Sequence, residues 1–359
     1  MSAIATSGPV PATGHMLATL ANLRRAAQRA LTPERDGFRA ESPSLEGHGN
    51  WYSRDEAIMG TAIRVELWHE DAAGAAAAMA AVIEQMHHVD RTMSPHKPDS
   101  ELSRINDGAA RQAVAVSAEM FGLLQRALEF SRLSDGAFDI TFASAGRLYD
   151  YRQGIRPTAQ ELAAARAAIG YEGLLLDAPS QTVRFARSGM RIDLGGFAKG
   201  YAVDRGAAIL RSRGVRNAIV TAGGDSHIVG DRRGRPWTIG VRDPRRPGEL
   251  AAVLPLADVA MSTSGDYERY FDEDGVRYHH VLDPRTGASA TGVHSVTILA
   301  ADGLTTEALS KTVFVMGVEK GMRLIESRKG VDAVVVDAQG VLHYSSGLRQ
   351  GAQLKGASK

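Results

Sequence analysis

The stretch RIDLGGFAKGYAVD (residues 191–204) predicts the local fold at the middle of the chain. A β-like run delivers Asp193 to the pair Gly195-Gly196, and helix-forming residues begin directly after that pair. Glycines at such a turn let a ligand approach the main chain, while the first helical turn supplies partial positive charge. Lys199 adds a full positive charge. The stretch therefore predicts a strand, an anion-binding turn and a long helix.

The glycine spacing of this stretch matches neither common phosphate-binding motif. G-x-G-x-x-G needs a different spacing, and G-x-x-x-x-G-K-[ST] fails because Lys199 precedes Gly200 and Tyr201 follows it. A plain strand-to-helix turn, with glycines that serve packing, therefore stays the alternative to an anion site.

Outward from this stretch, short β-rich runs alternate with amphipathic helices. Ser117 is placed as the N-cap of one helix, and Thr158 with Glu161 forms a capping box for another. We predict a single α+β domain over residues 51–347, with mixed, largely antiparallel sheets and flanking helices. Residues 1–50 are expected to form a loosely ordered arm, and residues 348–359 a polar tail.

Composition excludes several classes of protein. The 359 residues include 42 Lys and Arg and 41 Asp and Glu. The net charge of +1 therefore lacks the excess of positive charge that is typical of nucleic-acid-binding proteins. The absence of cysteine excludes disulfides, thiolate metal sites, a cysteine nucleophile and a lipobox anchor. No apolar run approaches the roughly 20 residues of a transmembrane helix, and the N-terminus lacks a signal-peptide pattern. We therefore predict no transmembrane segment and a cytoplasmic location.

Other polar segments could carry chemistry. The segment YHHVLDPRTG (residues 278–287) follows STSGDY (residues 262–267), and its Asp-Pro and Thr-Gly pairs are typical of a turn. That structural interpretation accounts less well for His280, which is a candidate general base. The polar segment MSPHKPDSELSRIN (residues 93–106) is a candidate site or a solvated loop that leads into a helix.

A further pair of charged residues lies near the C-terminus. Glu307 and Lys311 are four residues apart, so they share one helical face, and an ordinary i,i+4 ion pair is the simplest interpretation.

Seven segments in order, from about Trp51 to about Val336, resemble those of the ApbE-type FAD:protein FMN transferases. The resemblance implies an enzyme that binds FAD, cleaves its pyrophosphate and esterifies FMN onto a Thr or Ser hydroxyl of an acceptor protein, releasing AMP. The segments are MGT (59–61), SPHKPDSELSRIN (94–106), FDIT (138–141), DLGGFAKG (193–200), SGDY (264–267), HVLDPRTG (280–287) and the helix over 306–317.

The resemblance also implies which residues contact the flavin. His96 stands where relatives often place a stacking aromatic residue. The other implied flavin contacts are Met59, Ala137, Phe138, Asp139, Asp193 and Lys199.

A metal site is implied as well. In the family, Mg²⁺ is held by a carbonyl at the position of Gly196 and by an Asp and a Thr four residues apart. Here Glu307 and Lys311 stand at those two positions. A charged lysine has no lone pair for a cation, so Lys311 cannot replace the Thr ligand. Our hypothesis is that Lys311 supplies positive charge where Mg²⁺ would otherwise neutralise the pyrophosphate, leaving the metal weakly bound or optional.

Phosphoryl transfer needs an in-line nucleophile and charge stabilisation. We predict His280 as the general base for the acceptor hydroxyl, with Lys199 and the Gly195-Gly196 amides stabilising the phosphate. Asp283 is expected to orient His280 or to shape its loop. Two alternatives stay open: an FAD pyrophosphatase that yields FMN and AMP, and a non-catalytic FAD-binding protein with an altered metal site.

Overall fold

The computed structural model describes residues 39–40 and 49–349, whose elements with defined bounds are sixteen strands and seven α-helices. The strands are β1 (Arg39–Ala40), β2 (Asn50–Ile58), β3 (Thr61–His69), β4 (Val114–Ala115), β5 (Leu174–Asp177), β6 (Thr182–Phe185), β7 (Ala218–Ala222), β8 (Asp225–Val229), β9 (Trp237–Arg242), β10 (Leu250–Leu256), β11 (Ala260–Gly265), β12 (Tyr270–Glu273), β13 (Val276–His279), β14 (Val293–Ala300), β15 (Asp332–Asp337) and β16 (Leu342–Tyr344).

The helices are α1 (Ala72–Met93), α2 (Glu101–Gly108), α3 (Ala118–Leu133), α4 (Ala143–Gly146), α5 (Ala159–Arg166), α6 (Ala198–Ser212) and α7 (Gly303–Glu326). Polar N-caps begin several of them, because a side-chain oxygen satisfies an amide of the first turn. Ser117 caps α3, and Thr158 with Glu161 forms the capping box of α5, as predicted. None of the helices in the described part of the chain is both long enough and apolar enough to cross a membrane.

Nine strands form the main sheet in the order β1-β2-β3-β7-β8-β11-β14-β15-β16. Every strand pair resolved within residues 39–40 and 49–349 is antiparallel. The predicted α+β fold with largely antiparallel sheets is thus confirmed.

Both faces of the main sheet are covered. Helices α1, α6 and α7 pack on one face, and the hairpin β9–β10 covers part of the other. In β7, Ala218 and Val220 join the core beneath the helices, whereas Ile219 joins the core beneath the hairpin. Alternating side chains of a strand point to opposite faces, so β7, which is covered on both sides, presents apolar side chains to both cores.

Helices α6 and α7 approach each other most closely at two glycines. A Cβ atom placed on Gly200 would lie 2.2 Å from the carbonyl oxygen of Gly303, and one on Gly303 would lie 2.7 Å from that of Gly200. Only residues without a side chain permit this spacing, and it sets the positions of the charged residues on both helices.

We expect Gly200→Ala to destabilise the protein by about 1–3 kcal/mol, because the added methyl group must push one helix backbone away from another. The matched control is Gly122→Ala in α3, where an added Cβ meets no atom within 4 Å. That control should be neutral or stabilising by up to about 1 kcal/mol. Urea unfolding midpoints measure both, and equal stability of the two variants would contradict this account of the helix contact.

The sequence-based prediction was wrong at two segments. Residues 191–194 form no strand, because Ile192 exchanges backbone hydrogen bonds of 2.8 and 2.9 Å with the side-chain amide of Asn106 instead of with a neighbouring strand. The segment 93–106 was predicted as a loop, yet its second half forms α2, where Ser100 caps the first turn.

The predicted arm and tail fall mostly on residues 1–38, 41–48 and 350–359, which lie outside the described residues, so their order stays a prediction. Within the arm, β1 pairs with β2 in the register Arg39 to Ser53 and Ala40 to Tyr52.

Candidate active site

Four charged side chains lie close together where α6 and α7 cross over the start of β8. They are Lys199, Asp225, Glu307 and Lys311. The ammonium of Lys199 contacts Glu307 Oε1, lies 3.1 Å from Asp225 Oδ2 and donates to the Gly195 carbonyl at 3.1 Å. The other carboxylate oxygen of Glu307 accepts the amide of Gly200 at 2.7 Å. Lys199 therefore uses its three donors on three protein oxygens.

This cluster is withdrawn from solvent. The side chain of Glu307 is 0% exposed and that of Asp225 is 2% exposed, whereas the side chain of Lys199 is 21% exposed. Although burial opposes it, the carboxylates of Asp225 and Glu307 raise the pKa of Lys199. Burial also raises the pKa of Glu307, with the nearby Asp225 charge acting in the same direction. Lys199 is therefore a charged lysine that neutralises buried acids.

Lys311 lies one helical turn beyond Glu307, and its polar contacts with residues that the structure describes are long. Its ammonium is 3.5 Å from Ser310 Oγ and 3.7 Å from Glu307 Oε1, and its side chain is 17% exposed. A Cβ atom placed on Gly196 would lie 3.6 Å from Cε of Lys311, so the Gly-Gly turn runs directly beside this side chain. Burial lowers the pKa of Lys311.

His280 lies in the same positive environment. Its backbone amide donates to the carbonyl of Arg269 at 3.1 Å, and its buried Nδ1 has no hydrogen-bond partner among the residues that the structure describes. Burial, followed by the positive charges of Lys311 and Arg269, lowers the pKa of His280 to about 3. The imidazole of the free protein is therefore neutral at physiological pH.

The preceding residue, His279, has a structural role. Its Nε2 bonds the carbonyl of Ala290 at 2.9 Å, and its ring packs edge-on against Phe314. The two adjacent histidines thus differ: the side chain of His279 is hydrogen-bonded to the protein, whereas Nδ1 of His280 has no partner in the described part of the chain.

Asp283 shapes the loop after His280. Its carboxylate accepts hydrogen bonds of 3.0 Å from the guanidinium of Arg285, and its carbonyl accepts the amides of Thr286 and Gly287. Of the two roles expected for Asp283, these contacts support the shaping of the loop, while its carboxylate is paired with Arg285 and not with His280.

The hairpin between β2 and β3 brings Met59 to the site. Met59 and Gly60 have φ values of 55° and 68°, the pattern of a tight two-residue turn, and a bulky residue rarely adopts such an angle. A Cβ atom placed on Gly60 would lie 3.8 Å from a guanidinium nitrogen of Arg269. Arg269 thus connects this hairpin tip to His280.

A cavity of about 410 Å³ opens beside the hairpin tip, and Met59 and Gly60 belong to its wall, together with His87 and Asp90 of α1. A residue held in a strained conformation at the edge of a cavity is typical of a binding site.

Asp193 and His96 lie near each other. Asp193 Oδ1 accepts the amide of Gly195, so this amide, expected to bind phosphate, already has a partner. Desolvation raises the pKa of Asp193, against the opposing charges of His96 and Lys199. His96 is exposed in the loop between α1 and α2.

Three other expected flavin contacts are buried. Ala137 and Phe138 are 4% and 5% exposed, and the ring of Phe138 packs on Phe130 and Phe197. Asp139 caps a short 3₁₀ turn, where its carboxylate accepts the amides of Thr141 and Tyr171 at 2.8 Å. Burial raises its pKa. Their surroundings favour a supporting role beneath the site.

The residues at the expected Mg²⁺ position do not fit a divalent cation. The buried Oδ1 of Asp225 lacks a hydrogen-bond partner in the described part of the chain, and it is one oxygen that a cation could use. However, both oxygens of Glu307 and the other oxygen of Asp225 already contact Lys199 or a main-chain amide. Residues 49–349 contain no group of three or more His, Asp or Glu side chains arranged for a metal. Mg²⁺ needs several unpaired oxygen ligands, and two ammonium groups repel it here.

Two residues of the site, Asp225 and Arg269, were missed from the sequence. Asp225 follows the glycine pair 223–224 directly after the apolar strand β7, and that Gly-Gly-Asp pattern is the signal that could have indicated it. Arg269 stands in an ordinary polar turn and carries no comparable signal.

The fold and the site define an α+β protein with a cluster of charged side chains and a neutral histidine beside a glycine turn. Residues 59–335 match the model of the ApbE family, and the chain belongs to this family. The family expected from the sequence motifs is thereby confirmed.

The chain is 33% identical over 317 residues to the FAD:protein FMN transferase of Treponema pallidum (strain Nichols), covering 83% of this chain and 87% of the relative. It is 34% identical over 269 residues to the FAD:protein FMN transferase of Vibrio cholerae serotype O1, covering 73% and 80%.

Solved structures agree in fold. The ApbE protein from Thermotoga maritima superposes with a TM-score of 0.78 at 36% identity, covering 84% of this chain and 98% of that one. The flavin transferase ApbE from Vibrio cholerae gives a TM-score of 0.75 at 30% identity, covering 84% and 99%.

Proposed function

We propose that this protein transfers FMN from FAD to a Thr or Ser hydroxyl of an acceptor protein and releases AMP. Family membership and the names of the relatives support the reaction class. The observation that carries the proposal is His280, a neutral histidine near the positive charges of Lys311 and Arg269, whose buried Nδ1 has no hydrogen-bond partner among the described residues. FAD is the substrate and a protein is the acceptor.

In this mechanism the acceptor oxygen attacks the phosphorus of the FMN half of FAD. His280 takes the hydroxyl proton as the new P–O bond forms, and the bond to the AMP phosphate breaks in line. AMP leaves as the phosphate anion with the bonding electron pair. Lysine charge near the pyrophosphate stabilises this leaving group.

The role that we assign to each residue depends on whether its polar groups are already bonded within the protein. Lys199 is bonded to Glu307, Asp225 and Gly195, so its role is to hold the two helices and the glycine turn in place around the ligand. We assign contact with the flavin half to Met59, at the cavity edge, and to His96, near Asp193.

The experiment separates transfer from hydrolysis. The protein is incubated with FAD, with and without a domain that carries a Thr or Ser acceptor site, while AMP, free FMN and the acceptor's intact mass are measured. A transferase gives AMP that matches acceptor-bound FMN. Equal amounts of AMP and free FMN, unaffected by acceptor, would identify an FAD pyrophosphatase, and bound but intact FAD would identify a binding protein.

The pH dependence of the reaction follows from His280. Its pKa is lowered from 6.5 to about 3, so the free enzyme keeps the neutral base as the pH falls through 6.5. We expect kcat/KM for FAD to show no acid limb centred at pH 6.5, because kcat/KM reports the ionisation of the free enzyme. Initial rates of AMP release at subsaturating FAD measure this, and a wild-type limb centred near pH 6.5 would contradict the assignment.

The identity of the acceptor hydroxyl as Thr or Ser is part of this proposal, and the cytoplasmic location stays a prediction from the sequence.

A further inference from the structure

Lys311 differs from Lys199 in how its ammonium is used. Lys199 spends three donors on three protein oxygens, whereas the polar contacts of Lys311 within the described residues are at 3.5 and 3.7 Å. An ammonium group has three donors, and contacts of that length leave its hydrogen-bonding capacity largely unused. Lys311 can therefore bind an incoming anion without breaking a strong contact in the protein.

The position of Lys311 is suited to that role. It lies beside the main chain of Gly196 at the turn before α6. Among the neighbouring charges, that of Lys311 lowers the pKa of His280 the most. The Lys311 ammonium is thus near both the glycine turn and His280, the two features that the proposed mechanism arranges around the pyrophosphate.

The charge balance of the cluster argues against a divalent cation. Two lysines match the two buried acidic residues in number, and Lys199 already occupies the space between Glu307 and Asp225. A divalent cation would have to displace the Lys199 ammonium from the carboxylates of Glu307 and Asp225. The next position along α7 on the same face is Lys311, whose ammonium has no oxygen to donate to a cation.

We propose that the ammonium of Lys311 binds the FAD pyrophosphate directly and replaces a divalent metal ion, so that this protein binds FAD without Mg²⁺. The inference rests on the proposed function, since it assigns a residue to the pyrophosphate of that substrate. The covalent step is unchanged: the acceptor oxygen bonds to the FMN phosphorus, its proton passes to His280, and AMP leaves with the electrons of the broken P–O bond.

The test measures FAD affinity by fluorescence quenching in EDTA and in excess Mg²⁺, with wild type, Lys311→Thr, Lys311→Arg and Lys320→Thr. Lys320 is exposed on the same helix and provides a matched loss of charge. We expect wild type and Lys320→Thr to bind FAD equally in both buffers. In EDTA, Lys311→Thr should bind about ten- to a hundredfold more weakly, the loss expected for a hydrogen bond between charged groups. Lys311→Arg should retain most of the affinity.

Mn²⁺ binding gives a second readout that does not depend on turnover. Electron paramagnetic resonance of Mn²⁺ titrated with wild type and FAD should show no stoichiometric bound ion. Stoichiometric Mn²⁺ binding by wild type, or a loss of its FAD affinity of tenfold or more in EDTA, overturns the inference. Equal affinity of Lys311→Thr and wild type in EDTA also overturns it, and circular dichroism confirms that each variant is folded.

The two proposals fail in different ways. FAD binding is measured without acceptor, so a metal-dependent protein that still flavinylates its acceptor contradicts only the role of Lys311. Metal-independent FAD binding with no AMP release under any condition contradicts the transferase and leaves the pyrophosphate contact standing.

Discussion

His280→Gln is expected to lower the rate of FMN transfer by about 10²- to 10⁴-fold, the range that general bases contribute to catalysis. Glutamine is similar in size and polar, but it cannot take a proton from the acceptor hydroxyl at neutral pH. No residue within 39–40 and 49–349 hydrogen-bonds to Nδ1 of His280, so its replacement should leave the fold and FAD affinity nearly unchanged. Single-turnover release of AMP with saturating FAD and acceptor measures the loss.

The matched control is His343→Gln. His343 lies on β16, the edge strand of the main sheet, and its Nε2 is 2.7 Å from Oδ2 of Asp337. This variant should transfer FMN at the wild-type rate. If His280→Gln bound FAD normally and kept the wild-type rate, His280 would not be the base.

Lys199→Met is expected to destabilise the protein by about 3–5 kcal/mol at neutral pH, the usual cost of removing one partner from a buried ion pair. The side chain of methionine fills a similar volume, but it leaves Glu307 and Asp225 in a buried region without their shared cation. Because burial raises the pKa of Glu307, the loss should shrink as the pH falls and that carboxylate is protonated. Urea unfolding at several pH values measures both effects.

A double variant tests whether the loss of stability comes from the unpaired buried carboxylates. Lys199→Met combined with Glu307→Gln removes a positive and a negative charge together, so it should recover part of the stability lost in Lys199→Met. The exposed Lys320→Met is the matched control and should change stability by less than about 0.5 kcal/mol. A Lys199→Met protein as stable as wild type would show that the cluster is not a buried ion pair of this kind.

The elements predicted correctly are those with local signals. The helix starts at Ser117 and Thr158 could be read from capping residues, because a cap acts within one helical turn. His280 could be selected as a candidate because a turn explained its neighbours and not the histidine itself, and its role as general base stays a prediction.

The elements predicted wrongly depend on partners distant in the chain. The segment around Ile192 has the composition of a strand, but the side chain of Asn106, 86 residues away, supplies its hydrogen bonds. The contacts of Lys199 with Asp225 of β8 and Glu307 of α7 could not be read from its position after the glycine turn either. Lys199 neutralises these two buried acids, and its expected role in stabilising the phosphate stays a prediction.

The most direct test of the transferase is covalent flavin in cells. Denaturing gels of extracts from a strain that lacks this gene, complemented with wild type or with His280→Gln, are examined for flavin fluorescence. The account predicts a fluorescent protein band with wild type that is absent from the deletion strain and strongly reduced with His280→Gln. The same fluorescent bands in all three strains, with both proteins present at equal level, would contradict it.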